Sequence, residues 1–391
     1  MTKFIRPTLG LLQGCILYFL IYRTSLNYID MLFTAFVLTF PLFALQMKLP
    51  KRNTLFLALK IVIPMTLLYG LTGYYLANEI TSSIPYTTAS GTYYLLSIQC
   101  ALSGFIVFVF YCTAIQEKCF SFPYTTLFDE AWQVILKFFF GAILVYLTWG
   151  LFLIAAQLFT LINMPHILDL VTSRPFLCII LPCFFGIAMT ILQESEGVLT
   201  KMRTILLAFC KFLYPVFVVI SISFLVLVPF SSTKFSDIWM VSVLLSLLNI
   251  LLFNGVFQAG FERPPYARWF CNFIYTSMLL TFFYSFYVLQ FPWETMNHYG
   301  FKPSAFFLQV FISILALYQL CYCLAIFFSK TAWLTMVKLS NTILALTVAT
   351  LYLVMAMPWF DIAALGAKTE KERLRNHQVT TDDKLGDIYE W

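Results

Sequence analysis

The chain consists of long apolar runs that short polar joints separate. Of its 391 residues, 61% are hydrophobic and only 11% are charged, against roughly 45–50% and about 25% in an ordinary soluble domain. A water-soluble fold cannot bury that much apolar surface, whereas runs of about 20 apolar residues cross a bilayer as helices. The runs do not alternate with period two, as the strands of a membrane barrel do. The sequence therefore predicts an all-α fold, a polytopic transmembrane helix bundle with short loops.

Eleven runs are predicted as membrane spans. They lie near residues 7–22, 28–46, 54–77, 92–115, 131–162, 176–192, 203–229, 238–258, 267–291, 303–328 and 339–356. Residues 1–356 thus form one helical bundle, and residues 357–391 form a short, charged, soluble C-terminal tail. The first run has no Ala-x-Ala-like site after it and is expected to be a retained helix rather than a secretory signal.

The lysines and arginines predict the orientation of the bundle. With a cytoplasmic N-terminus, the inner joints hold twelve of them, at positions 3, 6, 48, 51, 52, 118, 201, 203, 263, 268, 330 and 338. The outer joints then hold four, at positions 23, 174, 234 and 302. Cytoplasmic joints carry the excess of positive charge, so the N-terminus is predicted inside. An odd number of spans places the tail outside, but its own basic residues favour the inside, and its side stays open.

Sequence motifs for a cofactor, a metal or a catalytic centre are absent. The chain has neither a phosphate-binding Gly-x-x-x-x-Gly-Lys-Ser/Thr loop nor a His-Glu-x-x-His or Gly-x-Ser-x-Gly element. Nine of the ten cysteines fall inside predicted spans and only Cys119 falls in a joint, which favours free thiols. The net charge is +6, but most lysines and arginines lie at the ends of the predicted spans, so the charge does not indicate nucleic-acid binding. We expect no cofactor and no metal site, and an enzymatic role is not favoured.

Ionisable residues inside the spans are the first candidates for a functional site. Lys60, Lys137 and Lys211 each lie a short way in from the predicted cytoplasmic end of a span. Such lysines either extend their ammonium groups to the lipid headgroups or line one shared basic cavity for an anionic substrate. In the second case Glu194 and Glu196 are candidate counter-ions.

Neutral polar residues also recur along the eighth predicted span. Ser242, Ser246 and Asn249 follow at intervals of four and three residues, which places them on one helix face. Polar side chains at this spacing join helices by hydrogen bonds, or they line a path for a substrate.

Three short motifs in the second half of the chain carry a family resemblance. They are Lys211-Phe-Leu-Tyr-Pro215, Tyr299-Gly300-Phe-Lys-Pro303 and Pro358-x-Phe360-Asp361, the last followed by Arg373-Leu374. With these motifs, residues 200–376 resemble a family of uncharacterised multi-spanning bacterial inner-membrane proteins, a domain of unknown function. The resemblance implies a helical bundle in the bacterial cytoplasmic (inner) membrane and no established reaction.

Two functions remain open from the sequence. The first is secondary transport or translocation of an anionic or lipid-linked substrate, and the second is that of an accessory or sensor subunit of an envelope complex. An envelope polysaccharide polymerase or transferase is less favoured, because it needs a sizeable outer loop with catalytic residues. The expected partners are membrane lipids and, for the second function, another envelope protein.

Overall fold

A computed structural model of the protein describes residues 2–23, 41–83, 86–230, 235–257, 266–299, 301–328 and 333–355. Within these ranges the chain forms twelve α-helices and no strand, which confirms the all-α class. The helices are α1 (Thr2–Arg23), α2 (Leu55–Ser83), α3 (Tyr86–Glu117), α4 (Tyr124–Leu161), α5 (His166–Thr172), α6 (Arg174–Glu194), α7 (Glu196–Leu227), α8 (Phe235–Phe257), α9 (Arg268–Val288), α10 (Gln290–Tyr299), α11 (Pro303–Phe328) and α12 (Trp333–Met355). Residues 41–47 are also helical, and short 3₁₀ turns span Arg52–Thr54 and Val228–Phe230.

Nine segments of the described chain are long and apolar enough to cross a membrane. They coincide with nine of the eleven predicted spans, and α10 continues the span that α9 begins. The first predicted span coincides with α1, whose apolar stretch Phe4–Phe19 is shorter than a span. Most of the second, at 28–46, and the whole tail at 357–391 lie outside the described residues. A membrane-spanning helical bundle is thus supported, while the count of eleven is not confirmed.

The closest helix crossing in the bundle joins α1 to α6. Cβ atoms placed on Gly10 and Gly14 would lie 2.2 Å from the Pro182 carbonyl oxygen and 2.5 Å from the Ile179 Cα atom. Gly186 returns the contact, because its Cβ would lie 2.4 Å from the Arg6 carbonyl oxygen. These backbone approaches need glycine, as in other small-residue crossings of membrane helices. The order of the pairs, rising along α1 and falling along α6, makes the two helices antiparallel.

The bundle has two apolar clusters. One lies among α2, α3, α4 and α6 and includes Tyr111 and Phe185, and the other lies among α7, α8 and α9 and includes Tyr214 and Phe253. Helices α11 and α12 contribute side chains to both clusters. The two parts of the bundle therefore share these two helices.

Candidate functional site

A buried ion pair lies at the end of the bundle where α4 begins. The Lys48 Nζ atom donates to the Glu130 Oε1 atom at 2.6 Å, and the Glu130 side chain is only 6% exposed. Lys48 directly follows the helical residues 41–47, and the Tyr111 hydroxyl on α3 holds its position by donating to the Lys48 carbonyl oxygen at 2.9 Å.

The ion pair forms one wall of a small cleft of about 10 Å³, which is room for about one water molecule. The cleft lies between α4, α3 and the segment that carries Lys48, and its lining residues are Met47, Lys48, Phe108, Cys112, Glu130, Gln133, Val134 and Lys137. Glu130, Gln133 and Lys137 follow at intervals of three and four residues, so they share one face of α4. Lys137 is only 7% exposed. The side chains that line the cleft thus include two lysines and one carboxylate.

Further charged groups surround the cleft at the same end of the bundle. The Arg203 Nη1 atom on α7 bonds the Asp129 Oδ1 atom at 2.8 Å, so the carboxylate next to Glu130 has its own cationic partner. Arg6 on α1 is 5% exposed, and its Nε atom donates to the Gln46 carbonyl oxygen at 2.7 Å. We call this end, where Arg6, Lys48, Glu130 and Arg203 meet, the basic end of the bundle. Its three cations, Arg6, Lys48 and Arg203, favour the approach of anions.

Of the lysines predicted from the sequence, only Lys137 lines this cleft. Lys60 is exposed on the surface of α2, with its Nζ atom 4.5 Å from the centre of the Phe56 ring. Lys211 is half-buried on α7, where its carbonyl oxygen accepts a hydrogen bond from Tyr266 at 2.6 Å. The structure therefore does not bring the three lysines to one cleft.

The two predicted counter-ions lie elsewhere. Glu194 is exposed at the last residue of α6, and the side chain of Glu196 lies outside the described part of the structure. The acid of the cleft is instead Glu130, and sequence reasoning did not select either Glu130 or Lys48. One signal for Glu130 existed, because it lies seven residues before Lys137 and therefore two turns away on the same helix face.

Asn249 is the centre of a neutral hydrogen-bond network inside the second cluster. It is fully buried, its Nδ2 atom donates to the Ser277 and Thr281 hydroxyls at 3.2 and 3.1 Å, and its Oδ1 atom accepts from the Tyr214 hydroxyl at 2.8 Å. The Ser246 and Ser285 hydroxyls bond each other at 2.7 Å one turn away. These bonds join α7, α8 and α9 and support the interpretation of this stripe as a helix-joining element.

A second neutral network joins α4, α8, α11 and α12. The Asn341 Nδ2 atom donates to the Tyr124 hydroxyl at 2.7 Å and to the Asn254 Oδ1 atom at 2.8 Å. Asn254 in turn donates to the Tyr322 hydroxyl at 2.8 Å, and Tyr322 donates to Asn341. The sequence analysis did not select Asn341, because a single amide in an apolar span carries no spacing signal.

Comparison with known proteins finds no matching family model, no similar curated protein and no similar solved structure. The functional argument therefore rests on the geometry of this chain.

Proposed function

We propose that the protein is a secondary transporter or translocator of an anionic substrate in the bacterial inner membrane. The single observation that carries the proposal is Lys137, which is buried in a cleft beside the Lys48–Glu130 ion pair. Burying ionisable groups at membrane depth costs several kcal/mol, and such groups mark substrate and ion pathways. Because the sequence has no phosphate-binding loop for ATP, the energy for transport comes from a gradient.

The membrane location and orientation are part of the same proposal. The inner membrane follows from the family resemblance of residues 200–376, and eleven spans with a cytoplasmic N-terminus follow from the distribution of lysine and arginine. In this arrangement the basic end of the bundle, with Arg6, Lys48 and Arg203, faces the cytoplasm. The cleft then exchanges its anion with the cytoplasmic water or with the inner leaflet.

The chemistry of the cleft defines the class of substrate. The two lysines that line the cleft suit a small sulfate-, phosphate- or carboxylate-type anion, or the anionic headgroup of a lipid, and binding requires the cleft to open beyond its volume of about 10 Å³. Lysine ammonium groups bind such groups as point charges and do not require one fixed geometry. We therefore expect broad selectivity among small anions.

Transport by purified protein in proteoliposomes tests the proposal. We would measure counterflow of [³⁵S]sulfate and, separately, movement of fluorescent phosphatidylglycerol between leaflets, which distinguishes a free anion from a lipid headgroup. Lys137→Met is expected to reduce the active process at least about tenfold, since about 1.4 kcal/mol of lost binding has that effect. The matched control is Lys201→Met, because Lys201 is an exposed lysine on α7 outside the cleft.

Two outcomes would overturn the proposal. One is a wild-type protein that moves neither probe, and the other is Lys137→Met transport equal to that of the wild type. If the inactive wild-type protein also retains a stoichiometric second protein in native mass spectrometry, the accessory-subunit function is favoured instead.

A further inference from the structure

We propose that the exposed face of α2 binds the headgroup of an anionic phospholipid, with Lys60 and Arg52 as its cationic ligands. The lipid belongs to the leaflet at the basic end of the bundle. This site is separate from the cleft beside Lys137, and it does not depend on the transport of an anion. Of the three lysines predicted from the sequence, Lys60 is the exposed one.

Lys60 lies within an apolar, outward-facing surface of α2. Phe56, Lys60, Ile63 and Leu67 follow at intervals of four, three and four residues, so they share one face of the helix. The three apolar side chains are 72%, 54% and 62% exposed in this order, and Lys60 is exposed among them. In a membrane such a face meets lipid. An ammonium group at this position therefore needs a polar or anionic partner that the lipid supplies.

The Lys60 side chain is directed toward the start of α2. Its Nζ atom lies 4.5 Å from the centre of the Phe56 ring, which is one turn nearer the basic end. Arg52 lies a further turn away, in the 3₁₀ turn Arg52–Thr54, and its side chain is exposed. About 12 Å of helix axis separate Lys60 from Arg52 at a rise of about 1.5 Å per residue. Two long cationic side chains that extend toward each other close this distance on one phosphate group.

The two cations are available to a phosphate. The Asp129 and Glu130 carboxylates at the basic end are paired with other cations. Among the residues that the structure describes, Arg52 and Lys60 have no ion-pair partner. A phosphate that binds between them therefore breaks no ion pair of this part of the protein.

The combination of charge and apolar surface selects the ligand class. Basic side chains at the membrane surface attract anionic lipids, whereas a zwitterionic headgroup brings its own positive charge. Ile63 and Leu67 continue the same face beyond Lys60, so the acyl chains of the bound lipid lie along them. A free phosphate ion gains nothing from these two side chains. We therefore assign the site to a phospholipid such as phosphatidylglycerol.

Photo-crosslinking of the full chain tests the site. The purified protein is reconstituted in phosphatidylcholine vesicles that contain a small fraction of phosphatidylglycerol with a diazirine on one acyl chain, and crosslinked peptides of α2 are quantified by mass spectrometry. The wild-type yield on α2 is expected to exceed that with diazirine-labelled phosphatidylcholine at least about fivefold, because each basic residue near the surface contributes about this factor.

Substitutions at Lys60 locate the effect. Lys60→Met is expected to lower the phosphatidylglycerol yield about fivefold, and Lys60→Arg is expected to keep it, because the charge remains. The matched control is Lys201→Met, which removes one exposed positive charge from α7 and is expected to leave the yield on α2 unchanged.

Several results would overturn the proposal. They are equal yields of the two labelled lipids on wild-type α2, an unchanged yield in Lys60→Met, and an equal loss in Lys201→Met. If Lys60→Met does not fold, competition on the wild type decides, because unlabelled phosphatidylglycerol must displace the label from α2 better than phosphatidylcholine does. Displacement by inorganic phosphate as complete as that by phosphatidylglycerol would make this a site for a free anion and would also overturn the proposal.

Discussion

At the scale of single residues, the Asn249 side chain makes three hydrogen bonds that an apolar side chain in its place would lose. We expect Asn249→Leu to lower the free energy of unfolding by about 1–2 kcal/mol, since Tyr214, Ser277 and Thr281 lose a partner in the protein interior. Titration with sodium dodecyl sulfate in mixed micelles measures this change. Asn272→Leu, at an exposed position of α9, is the control and is expected to stay within about 0.5 kcal/mol of the wild type.

Replacing Gln319 by leucine is expected, in contrast to Asn249→Leu, not to destabilise the protein. Its side chain on α11 is fully buried, and neither polar atom of its amide has a hydrogen-bond partner among the residues that the structure describes. Replacing an unsatisfied buried amide by an apolar side chain removes a desolvation penalty. Gln319→Leu is therefore expected to leave the free energy of unfolding unchanged or to raise it by about 1 kcal/mol. A clear loss of stability in the same titration would contradict this account.

Single residues also show how far the sequence predicts the site. Lys60 and Lys137 carry the same signal, a lysine a short way inside an apolar run, yet only Lys137 lines the cleft. The difference arises from the packing of α2 and α4 against their neighbours, which local spacing does not encode. The pairing of Lys48 with Glu130 is equally invisible, because 82 residues separate them in the chain. Asn249 was found because its helix face repeats polar residues.

At the scale of the helices, the contact between α1 and α6 depends on glycine. We expect the double variant Gly10→Ala, Gly14→Ala to lose about 1–3 kcal/mol of stability, because each new methyl group would lie within 2.5 Å of the α6 backbone. The same micelle titration reports the loss. The control is Gly150→Ala on α4, where no atom lies within 4 Å of the added methyl group. This control is expected to be neutral or up to about 1 kcal/mol more stable, because alanine favours the helix. Equal stability of both variants would mean that α1 moves away from α6 without a penalty.

The helix bounds show what hydropathy predicts and what it omits. For α11 the predicted span at 303–328 and the helix Pro303–Phe328 are the same. Helix α4 instead begins at Tyr124, seven residues before the predicted span at 131–162. The turns of α4 before residue 131 contain Asp129 and Glu130. These two residues lower the mean hydropathy of the segment, but they are still helical. Hydropathy alone therefore leaves Lys48 and Glu130 outside the predicted spans, whereas Lys137 lies inside one of them.

At the scale of the whole molecule, contacts between distant residues agree with alternating spans. Four pairs join the ends of different helices at the basic end: Arg6 with Gln46, Lys48 with Glu130, Asp129 with Arg203, and Tyr322 with Asn341. The sequence places Lys48, Glu130, Asp129 and Arg203 in joints on the same predicted side of the membrane. The antiparallel packing of α1 and α6 also agrees, because these helices are the first and the sixth predicted spans, and five crossings place their starting points on opposite sides of the membrane. Nine spans were thus predictable from hydropathy, whereas the neighbours of each span were not.

The sidedness of the molecule gives a prediction of its own, and the native thiols make it measurable. Cys119 is exposed in the joint between α3 and α4, while the other nine cysteines lie within helices. Since a membrane-impermeant maleimide does not reach thiols in the hydrocarbon region, it reacts with Cys119 first. If the basic end faces the cytoplasm, Cys119 is labelled in inside-out vesicles and protected in right-side-out vesicles.

The matched variant places a single reactive thiol at the opposite end of α4. Met164 is exposed just after α4, so Cys119→Ser with Met164→Cys is expected to reverse the labelling pattern, with reaction only in right-side-out vesicles. The same pattern at both positions would mean that α4 does not cross the membrane, despite its 38 residues. If the labelling patterns of the two positions are exchanged, the bundle crosses the membrane in the opposite orientation. The cleft with Lys137 and Glu130 then lies on the outer side.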